Sequence, residues 1–575
     1  MRSRCTKLVA TAAAAVAFIT LQLASPTPAQ CADGFPVATT PEQDARQAMV
    51  WDGADGVFVS WLRKTSNSAP ACRLYVTKLD RTTGARIWDD DLLVSDFAAA
   101  NSAVAMASDG GRGAIVVWTD ANFVLFVQRV KGSGDTAWPR ATTVSSSPFP
   151  SIWPLAVEDD AGGAIIAWTD FHSTASANAY VQRVNHGGAL GWRAGGVALG
   201  ATSATQAVGG GKNELQSDGA GGAIVTWMGM QTGRVQIYAQ RITRAGALGW
   251  ARGGVRVAPS VRTQQPGTLV AAPDGGAIVA FSETETAEGR DLDLLAAGLA
   301  PDGTPRWPGG ARVVGGAPGS QRNVVGLSDG LGGAFLAWDD FRPLRSGGLA
   351  LPHVFAQHLA ADGSPLWQQN GVHMGGAPAG GLESGAAIAS DDGGGFWLTW
   401  AEMQDLMPDA IDIRAGHFLA TGTPADGMPR GGLTSCDAAG DQSAPFIVSL
   451  GGSQVMLDWV DERNGNGDID LYAWASPTPQ VVSPSAKSGH QRLTSLVPRT
   501  RAGGLEVEFE VTEPGSVTLT VCDLQGRAVR RTSIEAGPGR HTFAFDRAGI
   551  PGAGIYFVRV DQHGESVTRK VLILR

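Results

Sequence analysis

Six carboxylates recur at one position of a repeating pattern and are the residues of this sequence best placed to do chemistry. Asp120, Asp170, Glu283, Asp340, Glu402 and Asp461 each follow by two positions an aromatic residue that ends an apolar run: Trp118, Trp168, Phe281, Trp338, Trp400 and Trp459. Acids gathered on one face can hold a cation, or sugar hydroxyls through charge-assisted hydrogen bonds. Two of them about 5–10 Å apart would also suit acid–base work on a glycosidic bond. Nothing in the spacing singles out such a pair. An acid that recurs with a repeat can equally serve the repeat, pairing with Arg129, Arg183 or Arg241 on a neighbouring strand; Asp170 with Arg183 is one such expected pair.

A second candidate is Asn464, Asn466, Asp468 and Asp470, oxygen-bearing side chains at alternate positions, as in a calcium loop. The closing bidentate glutamate of an EF-hand is missing, and a turn there calls for Asn and Gly in any case. Apart from calcium at this loop, no cofactor is expected. The nine histidines include no His-Glu-x-x-His. His353 and His358 are close in sequence but stand at ordinary repeat positions. Neither a Gly-x-Ser-x-Gly elbow nor a phosphate-binding Gly-x4-Gly-Lys loop occurs. No residue set commits the chain to catalysis.

The elements that would position these groups follow from self-similarity. Asp109-Gly110-Gly111-Arg112-Gly113-Ala114-Ile115-Val116-Val117-Trp118 is echoed by Asp218 to Trp227 and by Asp329 to Trp338. The anchors Trp61, Trp118, Trp168, Trp227, Phe281, Trp338, Trp400 and Trp459 stand 50 to 62 residues apart, marking eight units. Each unit reads as four strands: a short strand A, a glycine turn, the apolar strand B, an alternating strand C such as Tyr238-Ala239-Gln240-Arg241-Ile242, and a strand D such as Gly254-Val255-Arg256-Val257-Ala258. A second column, Trp88, Trp138, Trp192, Trp250, Trp307 and Trp367, precedes strand D. Four antiparallel strands in 50–62 residues predict an all-β, eight-bladed β-propeller. The eighth unit lacks a strand D, and Gly34-Phe35-Pro36-Val37-Ala38 resembles the missing piece. Residues 34–40 are therefore expected to complete the last blade and close the ring. The longest B–C connections (283–291, 339–353 and 401–410) mark the face where a ligand would bind.

Composition bounds the rest. The 575 residues exceed one ordinary core, and 77 glycines with 17 tryptophans suit many short strands and tight turns. A net charge of −9 excludes a nucleic-acid partner. Arg2, Arg4 and Lys7 precede an apolar run from Leu8 to Ala24 and the small-residue exit Thr27-Pro28-Ala29, so 1–29 is expected to be a signal peptide. No later segment is apolar enough to cross a bilayer as a helix, and no transmembrane segment is expected in the mature chain. Export permits disulfides among Cys31, Cys72, Cys436 and Cys522, whose three connectivities the sequence does not separate. Cys522, in an apolar run, reads as a buried free thiol.

Residues 30–475 are thus assigned to the propeller, 476–491 to a linker and 492–575 to a small β-sandwich. In the last, Leu505-Glu506-Val507-Glu508-Phe509-Glu510-Val511 alternates strictly. Asp523-Leu524-Gln525-Gly526-Arg527, then Gly554-Ile555-Tyr556-Phe557, then Lys570-Val571-Leu572 resemble the C-terminal sorting domain of type IX secretion cargo and, equally, the Ig-like domain of flagellar hook-capping proteins. Asp523, Gly526, Arg527, Gly554, Tyr556 and Lys570 carry the resemblance. It implies an Ig-like sandwich that engages the secretion machinery or the cell surface, and an extracellular or surface location. The sequence reading is an exported, non-enzymatic binding or scaffolding propeller with a glycan or protein ligand. Two alternatives stand beside it: a carbohydrate-active hydrolase or lyase using the loop acids, and a purely structural surface component.

Overall fold

Residues 151–198 show how one repeat is built. The computed structural model describes residues 34–476 and 493–573, apart from 41–43, 65–70, 100–102, 146, 174–175, 201–204, 212, 232, 285–290, 345–349, 378–380, 405–410, 465–468, 502–503, 512–513, 523–527, 547–553 and 563–564. Strands A to D of this unit are Ser151–Glu158, Ala164–Ser173, Ser176–Val184 and Val197–Ala198, and they form one antiparallel sheet in that order. Strand B (Ile165, Ile166, Ala167, Trp168) is buried on both faces, so it reads as a continuous apolar run. Its anchor Trp168 lies opposite Tyr180 of strand C, with the rings stacked 5.8 Å apart.

All regular structure among the described residues is β-strand, in eight sheets between Phe35 and Ala475 and two between Leu493 and Ile573. This is a propeller-like succession of four-stranded sheets. One sheet has a fifth strand because its strand A is split into Gln206–Ala207 and Leu215–Ser217. Each strand A packs on the strand A of the next sheet. The first, Asp44–Trp51, packs also on the last, Gln442–Ser449, so the series returns on itself. Trp51, Met106, Ala156, Gln216, Leu327 and Ile388 of these strands line a cavity of about 510 Å³.

Two tryptophan columns join the sheets. All eight anchors are at most 4% exposed, and truncating such a ring costs about 3–5 kcal/mol. In the second column each indole N–H donates to a turn carbonyl of the following unit. Trp88 reaches Gly132 O (2.9 Å), Trp138 reaches His186 O (3.0 Å), Trp250 reaches Pro301 O (2.9 Å) and Trp307 reaches Ala361 O (2.9 Å).

The sheet of Gln442–Ser449, Val455–Asp461 and Asp470–Ala475 takes its fourth strand, Phe35–Ala38, from the other end of the chain. The glycine before that strand explains the fit. Gly34 (φ +67°) and Gly254 (φ +81°) lie so close to the anchor ring of their sheet that an added Cβ would stand 2.4 Å from Trp459 and 2.3 Å from Trp227. Gly34 thus plays the part that Gly254 plays before Val255–Arg256, and only glycine fits.

The described chain divides into two units, one ending at Thr478 and the other beginning at Pro479. The second contains the sheets Leu493–Arg501, Gly504–Val511, Gly539–Asp546 and Ala528–Ala536, Gly515–Cys522, Gly554–Gln562, Glu565–Ile573, with strands named in spatial order. Both sheets contribute to one core that includes Val507, Phe509, Leu519, Phe545, Tyr556 and Val558. Cys72 and Cys436 are both buried, and among the described residues no disulfide joins them; Cys436 Sγ lies 3.8 Å from Asp461 Oδ2. The expected signal peptide, Cys31 and the side chain of Cys522 lie outside the described residues. No helix among the described residues is long and apolar enough to cross a membrane.

Candidate functional site

The recurring acids end strand B, and their two-residue step from the anchor puts acid and indole on the same side of the strand. In three units the indole N–H reaches the carboxylate: Trp338 Nε1 to Asp340 Oδ2 and Trp459 Nε1 to Asp461 Oδ2 at 2.8 Å, Trp400 Nε1 to Glu402 Oε2 at 3.3 Å. An arginine closes the other side. Arg342 Nε is 2.8 Å from Asp340 Oδ1, Arg463 Nε is 2.8 Å from Asp461 Oδ1, and Arg414 pairs with Glu402 at 3.1 Å. Ser151 Oγ donates to Asp170 Oδ1 (3.1 Å) and Gln264 Nε2 to Glu283 Oε2 (3.1 Å). These five acids are at most 8% exposed. Burial pushes the Glu402 carboxyl above its ordinary range, against the opposing pull of Arg414. The half-buried Asp120 caps its own turn, accepting from Asn122 N (2.9 Å) and Val124 N (2.8 Å).

The arginines of strand C pair elsewhere than expected. Arg183 meets Asp159, not Asp170, at 2.7 Å; Arg129 meets Asp109 at 2.7 Å and Arg241 meets Asp218 at 2.9 Å. Register decides this. Arg183 lies opposite Ile165, at the A–B turn, whereas Asp170 lies opposite Asn178, about 17 Å further along the strand. The same contact recurs as Lys78–Asp52 (2.7 Å), His358–Asp329 (3.0 Å) and His417–Asp391 (2.9 Å), and in the fifth unit Arg306, from the C–D connection, takes the place of the strand C cation on Asp274 (2.5 Å). The turn aspartate also accepts the backbone N–H groups of its glycine loop, as Asp159 does from Ala161 (2.9 Å) and Gly163 (2.7 Å). These pairs therefore hold the repeat together.

In the Asn464–Asp470 loop, the Asn464 amide donates to the buried Asp470 carboxylate. Asn466 and Asp468 lie outside the described residues. Four aromatic side chains stay in solvent around the second B–C turn: Phe97 (43%), Phe123 (45%), Phe149 (44%) and Trp153 (40%). Ala121 N donates to Phe97 O (3.0 Å) and Ser151 N to Phe123 O (2.9 Å), which fixes these segments side by side. Phe123 (φ +63°) and Trp153 (φ +55°) hold left-handed backbone conformations, uncommon for bulky residues.

A cluster that spacing did not indicate joins His353, His373 and Glu383, whose nitrogen and oxygen atoms lie within 4.8 Å of one another. Burial alone would raise the Glu383 carboxyl, but the two imidazoles and the Val354 N–H outweigh it and bring it to about 2. The cluster spans two units, so no motif confined to one element could find it. The available signal is the glutamate itself, which replaces the glutamine of Gln264, Gln321 and Gln442 at the same repeat position.

Among solved structures the chain is similar to a lectin from Burkholderia pseudomallei (12% identity over 67% of this chain and 98% of that one, TM-score 0.37). It is also similar to a protein of unknown function from Dyadobacter fermentans (11%, 58% and 95%, TM-score 0.34). A third is an α-L-arabinofuranosidase from Fusarium graminearum (9%, 64% and 92%, TM-score 0.30). No curated protein matches. In the C-terminal unit, Tyr556 is buried in the core, Gly554 opens the strand Gly554–Gln562, and Lys570 lies on Glu565–Ile573; Asp523, Gly526 and Arg527 fall outside the described residues. Residues 501–574 match the family model of the secretion system C-terminal sorting domain, the tail of type IX cargo, which marks this protein as one exported to the cell surface or the extracellular space.

Proposed function

We propose that residues 34–476 form an eight-bladed propeller, closed by Phe35–Ala38, that binds an extracellular glycan without turning it over, and that an Ig-like sorting sandwich at 492–575 delivers it. The observation that carries this reading is the aromatic face of Phe97, Phe123, Phe149 and Trp153. Two of these rings sit at backbone positions that favour glycine or asparagine. At the corresponding strand A bulges other units carry Asn323, Gly385 and Ala444, so Trp153 is maintained there against local strain. Exposed rings interleaved with Asp120, Asn122 and Ser147 suit a sugar, which offers both an apolar ring face and hydroxyls. The other five recurrent acids are buried and engaged with indoles, a hydroxyl, an amide and guanidinium groups. They support this reading over a hydrolase, which needs carboxylates that reach the substrate.

The test is a glycan array with the exported chain, followed by reducing-sugar release on every glycan retained. Binding without release is expected, with affinity falling at least tenfold in Phe123→Gly and Trp153→Asn, substitutions that relax the backbone. Sugar release, or binding indifferent to both substitutions, overturns the proposal.

A further inference from the structure

His353 opens the strand His353–Leu359 and His373 ends Val372–His373, both in the sixth sheet; Glu383 lies in Leu382–Ser390, the first strand of the seventh. We propose that these three side chains bind one divalent transition-metal ion of the zinc class and so cross-link the two sheets. Two imidazoles and a carboxylate are a donor set such an ion prefers.

The repeat itself shows that Glu383 departs from a structural norm. Gln321 donates from Nε2 to Ala317 O (3.0 Å) and Gly319 O (2.8 Å), and Gln442 to Ala438 O (3.1 Å) and Gly440 O (2.8 Å). A carboxylate cannot donate, and Glu383 instead accepts from Ala377 N at 2.7 Å. It keeps the acceptor role of Gln264, which receives Ile237 N at 2.9 Å, by receiving Val354 N at 3.0 Å. The glutamine would have served the fold; the change adds a charge aimed at two histidines.

His353 supplies an independent observation. It is 1% exposed, and its Nδ1 has no hydrogen-bond partner, a need that burial leaves unmet. That nitrogen stands 3.8 Å from Glu383 Oε2, too far for a hydrogen bond, while His373 Nε2 stands 2.8 Å from the same oxygen. Ligands of a tetrahedral ion with bonds of ~2.0–2.1 Å lie about 3.3 Å apart, between the two observed separations. Small rotations of the two rings would reach it. The surroundings are those of a supported site. The two backbone N–H groups orient Glu383, and Phe355 stacks on His373 with ring centres 5.3 Å apart. The His373 side chain is 26% exposed, leaving an entry path and room for a water as fourth ligand.

The test is calorimetric titration of the metal-stripped exported chain with zinc chloride, with cobalt(II) absorption as the spectroscopic readout. One equivalent is expected to bind, with ligand-field bands of a low-coordinate cobalt site. His373→Ala and Glu383→Gln should each weaken binding by at least the roughly 10–100-fold that loss of a mere outer-shell partner costs. Glu383→Gln restores the residue other units carry, so it is expected to fold. Absence of saturable zinc binding, or stoichiometric binding that survives either substitution, overturns the proposal.

Discussion

His417 Nε2 and Asp391 Oδ2 lie 2.9 Å apart in the seventh unit, where the third unit places Arg183 and Asp159 at 2.7 Å. The two pairs occupy one structural slot, a strand C cation clamping the aspartate of the A–B turn. The sixth unit fills it with His358 and Asp329. The His417 ring also stacks on Trp397, centres 4.7 Å apart and the planes nearly parallel, so the replacement keeps the hydrogen bond and is itself packed.

That slot sets an acid limit. Burial raises the carboxyls of Asp329 and Asp391, but hydrogen bonds from the histidines and from backbone N–H groups outweigh it and hold both below the ordinary value of 3.8. A carboxylate lowered in the folded state stabilises the fold above its unfolded pKa, and the contribution is lost as pH falls through the folded value. Thermal scans from pH 7 to pH 2.5 should show the native chain losing stability below about pH 4. The double variant Asp329→Asn, Asp391→Asn should start lower and converge with it in acid. Parallel curves would remove the two aspartates from the account.

Closure by Gly34 and the strand after it gives a second expectation. In Gly34→Ala the new methyl meets Trp459 in a backbone conformation that alanine disfavours. A loss of about 1–3 kcal/mol is expected, the range for overpacking a filled site. Deleting residues 34–40 should cost more, because Val37 and Ala38 are buried in the core of the last and first units, and the edge of Asp470–Ala475 would be left open to aggregation. Undiminished melting temperature after the deletion would show that the chain start contributes nothing to the last sheet.

Most of this frame was legible because its period is carried by residues whose burial is unconditional. An anchor tryptophan, a glycine turn and an apolar strand mean the same thing in every unit, and Gly34 declared its sheet by matching Gly254. The pairing of charges was less legible. Whether Arg183 faces Asp159 or Asp170 depends on register across a hairpin, which turn length sets and composition does not. The His353, His373 and Glu383 cluster was least legible, since its members are spaced by the C–D and D–A connections rather than by the period of any strand.

Glu214 predicts an opposite pH dependence. It is 1% exposed, and burial pushes its carboxyl to about 7 even though the backbone N–H groups of Gly209, Gly210 and Gly211 pull it down. An acid whose folded pKa lies above its unfolded value of 4.5 binds a proton on folding between those pH values, so stability falls as pH rises through that window. The loss is about 3 kcal/mol from pH 4.5 to 7 at ~1.4 kcal/mol per unit. Urea midpoints at pH 5 and pH 8 should differ more for the native chain than for Glu214→Gln, which retains an acceptor and cannot ionise. Equal differences in the two proteins would mean that the carboxyl is ionised throughout.

Asp340 distinguishes a framework acid from one that meets ligand. It is fully buried, takes the Trp338 indole N–H on Oδ2 and the Arg342 guanidinium on both oxygens, and Arg342 in turn covers the Phe355 ring at 4.0 Å. Asp340→Ala leaves a buried indole N–H unmet and a largely buried cation unpaired. Removing one partner of such a pair costs about 3–5 kcal/mol, toward the lower end here because 18% of the arginine side chain remains in water. Asp340→Asn keeps one acceptor and should cost less, with the order native, asparagine, alanine in melting temperature. Glycan affinity of the asparagine variant, measured well below its melting point, should stay within twofold of native because the carboxylate touches only protein. A folded Asp340→Asn protein that no longer binds would instead place this acid among the ligand contacts, and the buried row would have to open on binding.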